Sequence, residues 1–248
     1  MRALELDLAR IGASTGSDIQ IDVGGDSLRA APVERLLLAR GADGHFAVAS
    51  DAATVAVGKQ HGSSGPLDDV LHGPLTIVVG TRGAADREAN QLLADQLARL
   101  GGSADIRYPI LRDVDASDAA LAGRSIVLVG GPRSNALTER LAPALPVSFS
   151  DRGFTLRGER FEGDDLGVAL IFPGPESIAG PGLAKRSTTR YVVLYAGLTP
   201  RATLAARMLP RYLPDYVVFG ADLATQRGGL LLDQRKVRSA GFFGEDWE

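Results

Sequence analysis

Two short glycine-bearing stretches have the composition to hold an anion: Gly80-Thr-Arg-Gly83 and Gly130-Gly-Pro-Arg-Ser-Asn135. Each follows a five-residue, largely apolar run (75–79 and 125–129) and precedes a helical pattern, so each lies where a strand passes into a helix. Free N–H groups and the positive end of a helix dipole favour negative charge at such a junction. Arg82 and Arg133 would add guanidinium groups able to clamp a carboxylate or phosphate. In a doubly wound sheet ordered 2-1-3 the two loops would be neighbours at the switch point, where ligands bind. The candidate ligand-binding residues are therefore Gly80, Thr81, Arg82, Gly83, Gly130, Gly131, Arg133, Ser134 and Asn135. The competing reading is structural. Neither stretch is a P-loop or a G-x-G-x-x-G fingerprint, and tight strand-to-helix turns use glycine in any case.

Other chemistry-bearing residues are sparser. Gly12-Ala-Ser14-Thr-Gly16 matches the G-x-S-x-G string of a nucleophile elbow, but that elbow needs a helix after the serine, and here another strand pattern follows. It reads as a hairpin turn. His45 and His72 have no neighbouring nucleophile and no metal-ligand spacing. Lys59-x-His61-Gly-x-x-Gly-Pro66-Leu-x-Asp69 brings a cation, an imidazole and glycines into one loop; it is either a linker or an interdomain or interface element carried by Lys59, His61 and Asp69. Asp113, Asp115 and Asp118 precede a helix and read as caps and solvated charge rather than a metal cluster. No catalytic set, metal site or cofactor site is assembled by these motifs, and none is expected.

The elements that must position these residues follow from periodicity. Strongly β-branched five-residue runs read as strands covered on both faces, hence a parallel sheet with helices either side. Ala89, Leu92, Leu93, Leu97 and Leu100 form a helical stripe ended by Gly101-Gly102; Ala104 to Ile110 reads as a second strand, and Ser117 opens a short helix. Further on, Gly153 to Phe161 reads as a hairpin turning at Arg157-Gly158. The apolar strands Gly167–Phe172 and Tyr191–Tyr195 pair antiparallel across a long excursion, because the residues between them lack helical periodicity. Thr199 caps a helix with Leu204 and Met208 inward, and Tyr216 to Phe219 is a last strand. Residues 1–58 alternate instead, with strands around Leu4–Leu8, Ile19–Val23, Val33–Ala39, His45–Ala49 and Thr54–Val57. The fold class is α/β: a three-layer, Rossmann-like or flavodoxin-like, mostly parallel sheet with an antiparallel edge, preceded by a small antiparallel, sandwich-like β domain. The domains run 1–58 and 74–248, joined by a Gly-rich connector at 59–73.

The chain of 248 residues is 45% apolar and 23% charged, as in ordinary globular proteins, and long enough for a sizeable core. A net charge of −3 offers no broad basic face for nucleic acid. There is no cysteine, which excludes disulfides and thiolate chemistry and leaves the compartment open. No apolar run approaches the roughly 18–20 residues of a membrane span, and the amino terminus alternates rather than forming an export signal.

Several strings form an ordered series: Lys59-x-His61-Gly-x-x-Gly-Pro66-Leu-x-Asp69, Val79-Gly-Thr-Arg-Gly83, Leu128-Val-Gly-Gly-Pro-x-Ser-Asn135, Leu145-Pro146, Arg190-Tyr-Val-Val-Leu-x-Ala-Gly197 and Leu213-Pro-Asp-Tyr-Val-Val218. From about Leu4 to Asp222 the chain resembles the carboxy-terminal region of bacterial prolyl-oligopeptidase-like serine hydrolases. There, a β-rich segment and a Rossmann-like domain follow the α/β-hydrolase domain. It departs from that pattern at Phe172-Pro-Gly-Pro-Glu176, where the family carries an Asn-Pro-rich segment, and it lacks the domain that supplies serine, acid and histidine. The resemblance implies a non-catalytic accessory or substrate-gating module that packs on a hydrolase domain or on itself. The alternative is a free-standing binder or enzyme for an anionic small molecule, using the two glycine loops.

Overall fold

The computed structural model describes residues 3–13, 16–41, 43–49, 58–59, 63–99, 107–179, 186–223, 225–226, 231–232 and 236–248. Its contacts gather into two compact units, Met1–Gly58 and Lys59–Glu248, each with its own hydrophobic core.

In the first unit alternation builds β1 (Ala3–Asp7), β2 (Ile19–Val23), β3 (Asp26–Ala30), β4 (Arg35–Arg40) and β5 (Phe46–Val48). They form a three-stranded antiparallel sheet, β1-β4-β5, and a β2-β3 hairpin. The hairpin turns at Gly24-Gly25, both at positive φ, as a two-residue turn of this type requires. Leu36 and Leu38 point inward two apart on β4 and pack with Leu8, Ala30 and Phe46. The strand expected at Thr54–Val57 lies outside the described residues.

The second unit is built on a seven-stranded sheet. Its strands are β6 (Leu75–Val79), β7 (Ile110–Arg112), β8 (Ser125–Val129), β12 (Leu166–Pro175), β13 (Arg186–Gly197), β14 (Tyr216–Gly220) and β17 (Val237–Gly241). The order is β17-β14-β12-β13-β8-β6-β7. β7, β6, β8 and β13 are parallel, whereas β13-β12, β12-β14 and β14-β17 are antiparallel. The sheet is therefore mixed, with an antiparallel half broader than the single edge expected. β12 and β13 are antiparallel neighbours, and β17 adds beyond β14, which is not the last strand.

Helices α1 (Ala84–Ala98), α2 (Asp118–Leu121), α3 (Ala136–Leu141) and α4 (Pro200–Ala205) accompany this sheet. Ser117 and Thr199 cap α2 and α4 by accepting from Ala120 and Ala202 N–H. β9 (Val147–Ser150), β10 (Gly153–Leu156) and β11 (Glu159–Glu162) form an antiparallel meander, and β15 (Thr225–Gln226) pairs with β16 (Leu231–Leu232). The Arg157-Gly158 turn joins β10 to β11 with φ of 52° and 76°.

Three details differ from the periodicity reading. Of the strand expected over Ala104–Ile110, residues 104–106 lie outside the described residues and 107–109 are not strand, β7 covering Ile110–Arg112; Pro109 has no N–H to donate and contributes only a carbonyl, which accepts from Ile77. Leu92 of α1 is 41% exposed, because the face turned to the sheet is Ala89, Asn90, Leu93, Ala94 and Ala98. Met208 is also exposed: a 3-10 turn, Ala206–Met208, follows α4, and its tighter winding shifts the inward face to Ala202, Thr203, Ala205 and Ala206.

Candidate functional site

β6 and β8 are all-buried strands that end side by side at Gly80 and Gly130, so the two glycine loops are direct neighbours. They are packed onto each other. Arg82 N–H donates to the Ser134 carbonyl at 3.1 Å. A Cβ at Gly80 would fall 2.4 Å from that carbonyl oxygen and 2.7 Å from the Asn135 Cβ. Gly130 has φ +105° and lies equally close to Ser134 and Asn90.

Asn135 occupies the notch between the strand ends. It is fully buried; its Nδ2 donates to the Val78 and Val129 carbonyls, both at 3.0 Å, and its Oδ1 accepts from Leu137 and Thr138 N–H. All four hydrogen-bonding positions of the amide are used, tying β6, β8 and α3 together. Thr138 donates to the Gly130 carbonyl at 2.9 Å. Asn90 sends its Nδ2 to the Gly80 carbonyl and to Ser134 Oγ, which itself donates to the Gly131 carbonyl at 3.4 Å. Asp113 is buried, and its carboxylate accepts from Thr81 Oγ1 at 2.7 Å, Val114 N–H at 3.0 Å and Ala136 N–H at 2.7 Å.

Both arginines are exposed and make contacts on the protein surface. Arg82 reaches Glu139 at 2.6 Å, and Arg133 donates to the Leu198 carbonyl at 2.9 Å. Gly83 gives α1 no side-chain cap, and Asp86 in its first turn already supplies negative charge beside the helix end. The loop residues thus act chiefly as a polar joint between strand ends.

A second constellation lies elsewhere in the sheet. Lys59 Nζ pairs with Asp215, which is wholly buried and also accepts from Phe243 N–H at 2.9 Å. The Lys59 ammonium stands 4.9 Å from the centre of the Trp247 ring, a cation–π distance. Asp69 accepts from Tyr191 OH on one oxygen and faces His72 Nδ1 at 3.1 Å on the other. Gly65 N–H donates to the Tyr191 oxygen at 3.2 Å. Burial, with the bond to Asp69, pushes the Tyr191 phenol up to about 12, so it stays protonated and donating. Trp247 stacks edge-on against Phe172 and Tyr191 at 5.9 and 6.1 Å between ring centres.

Lys59 and Asp69 both find these partners within the second unit; His61 and Ser14 lie outside the described residues. His45 pairs with Asp26 at 2.7 Å in the first unit. Tyr191 and Asp215 fall within the ordered strings without a site role there, Trp247 belongs to a terminal aromatic cluster of the kind that docks onto a core, and Asn90 lies in no motif. Asn90 could have been noticed as an amide on the inward stripe of α1. The Lys59–Asp215 pair spans 156 residues and leaves no local signal. Among the described residues, no serine hydroxyl hydrogen-bonds an imidazole, and no three acidic or histidine side chains are grouped to hold a metal. No helix among them is long and apolar enough to cross a membrane. No family model matches the chain, and no curated protein does.

Proposed function

We propose that this chain is a non-catalytic interaction module: a Rossmann-like domain preceded by a small β domain, akin to the rear half of a prolyl-oligopeptidase-like hydrolase. It would work beside an α/β-hydrolase domain or a second copy of itself. The observation that carries this reading is the filled notch at the ends of β6 and β8. Asn135 and Ser134 bond to backbone and to Asn90 there, and Arg82 and Arg133 contact Glu139 and the Leu198 carbonyl. The ordered strings also find a structural use, since Lys59, Asp69, Tyr191 and Asp215 come from three of them and are joined in ion-paired and aromatic contacts.

The test is reconstitution. Alone, the purified chain is expected to leave p-nitrophenyl acetate unhydrolysed, to escape fluorophosphonate labelling and to keep its melting temperature in inorganic phosphate. Mixed with a solitary prolyl-oligopeptidase-type hydrolase domain from the same genome, it is expected to co-elute and raise peptidase turnover. A phosphate-dependent gain in melting temperature that Arg133→Ala removes would establish the small-anion reading instead.

A further inference from the structure

The turn that joins β10 to β11 carries an arginine where a smaller residue would fold more easily. Arg157 is the first of its two residues, at φ +52°, a left-handed conformation that favours glycine or asparagine. A backbone cost of this kind is retained where the side chain has a use. The guanidinium lies 5.7 Å from the centre of the Tyr216 ring, a stacking that holds its plane in place. Its protein hydrogen bonds all leave from Nη1, to the Tyr216 oxygen and the Phe242 carbonyl, each at 3.2 Å. Nε and Nη2 have no protein acceptor among the described residues. Together they form the other edge of the fork, a pair of parallel donors that fits a carboxylate. Arg112 uses that same edge on Asp115.

Arg157 lines a cleft of about 160 Å³ with Leu156, Glu159, Phe161, Tyr216 and Ser239. Leu156, Phe161 and Tyr216 are buried and give it apolar walls. Gly241 faces Tyr216 in the β14–β17 register, and a Cβ there would fall 2.8 Å from the phenol oxygen, so glycine leaves the hydroxyl its place. Glu159 has no cation of its own among the described residues, since its neighbour Arg160 pairs with Glu162. The cleft therefore holds a free guanidinium edge and an unpaired carboxylate that do not meet each other, beside an apolar surface.

We propose that this cleft binds a free α-amino acid with a small aliphatic side chain, its carboxylate on the Nε–Nη2 edge of Arg157 and its ammonium on Glu159. One charge of each sign selects a zwitterion over a simple anion, which Glu159 would repel. A cavity of about this volume takes a molecule the size of benzene, and a valine-sized ligand is of that order. The site lies wholly in the second unit and stands whether or not the chain docks on a hydrolase.

Titration of the full chain with L-valine, followed by amide chemical shifts, tests this. The Gly158, Glu159 and Ser239 resonances are expected to move saturably, with a dissociation constant on the order of millimolar for so small a ligand. Isovalerate, which lacks the ammonium, and isobutylamine, which lacks the carboxylate, are each expected to bind at least about tenfold more weakly. Arg157→Gln should weaken L-valine binding by a similar factor. Glu159→Gln, at an exposed position with no ion pair to lose, should erase the preference for L-valine over isovalerate. The proposal would be overturned by the absence of a saturable shift, by isovalerate binding as tightly as L-valine, by a preference that survives Glu159→Gln, or by unchanged binding in folded Arg157→Gln.

Discussion

At the scale of single residues, the molecule concentrates its polar side chains in joints rather than in an open site. Asn135 is the clearest case, because all four of its hydrogen bonds end on backbone while the residue has no exposed surface. Asn135→Ala should remove a donor from the Val78 and Val129 carbonyls, the latter keeping only the Gly80 N–H, and uncap α3, a loss of about 3 kcal/mol that urea unfolding will register. Asn135→Asp keeps the cap but turns a carboxylate oxygen towards the Val78 and Val129 carbonyls, so it should cost about as much. A ligand role for this residue would instead leave stability near the wild-type value. Lys59 carries a similar argument. Removing it strands a wholly buried carboxylate, and Lys59→Met should destabilise by about 3–5 kcal/mol. Pairing it with Asp215→Leu should recover much of that loss, which a double-mutant cycle measures directly.

At the scale of elements, one ion pair connects the β2-β3 hairpin to the three-stranded sheet of the first unit. Asp26, at the start of β3, accepts Phe46 N–H at 2.7 Å and faces His45 Nδ1 at 2.7 Å. The Phe46 bond, then the His45 bond, holds the Asp26 carboxyl below its usual range; the Asp26 carboxylate raises the His45 imidazole. The signs are opposite. A lowered acid stabilises above its unfolded value of about 3.8, losing that contribution as pH falls; a raised histidine stabilises below about 6.5, losing it as pH rises. Attachment of the hairpin should therefore be firmest between roughly pH 4 and 6.5. Proton NMR of His45 is expected to show an elevated midpoint that returns to the ordinary value in Asp26→Asn. An unchanged midpoint would show that the contact does not persist in solution.

At the scale of the whole molecule, the two units have cores with no residue in common: Leu8, Ala30, Leu36, Leu38 and Phe46 in one, the β6–β8 and β12–β14 strands in the other. Leu38→Ala, at a position with no exposed surface, should cost the first unit about 3 kcal/mol. Amide protection at Val192 and Leu170 in the second unit should stay as it was, which hydrogen exchange read by mass spectrometry can follow. A uniform loss of protection across both would mean that the chain unfolds as one cooperative body.

Much of this architecture was legible without coordinates. The runs at 75–79 and 125–129 can only be strands covered on both faces, and both are buried throughout. The Arg157-Gly158 turn and the Ser117 and Thr199 caps are local, set by φ preferences and by hydroxyls next to free N–H groups. The antiparallel pairing of β12 with β13 followed from the lack of helical periodicity in the sequence between them. Tertiary structure alone decided what the polar residues do. How closely the loops at Gly80 and Gly130 pack on each other depends on side chains meeting at atomic distances, and Asn135 bonds both strand ends there. Periodicity repeats over two to four residues and reports which face is buried. It carries no record of partners 122 or 156 positions away, and it is at those distances that Tyr191 meets Asp69 and Lys59 meets Asp215.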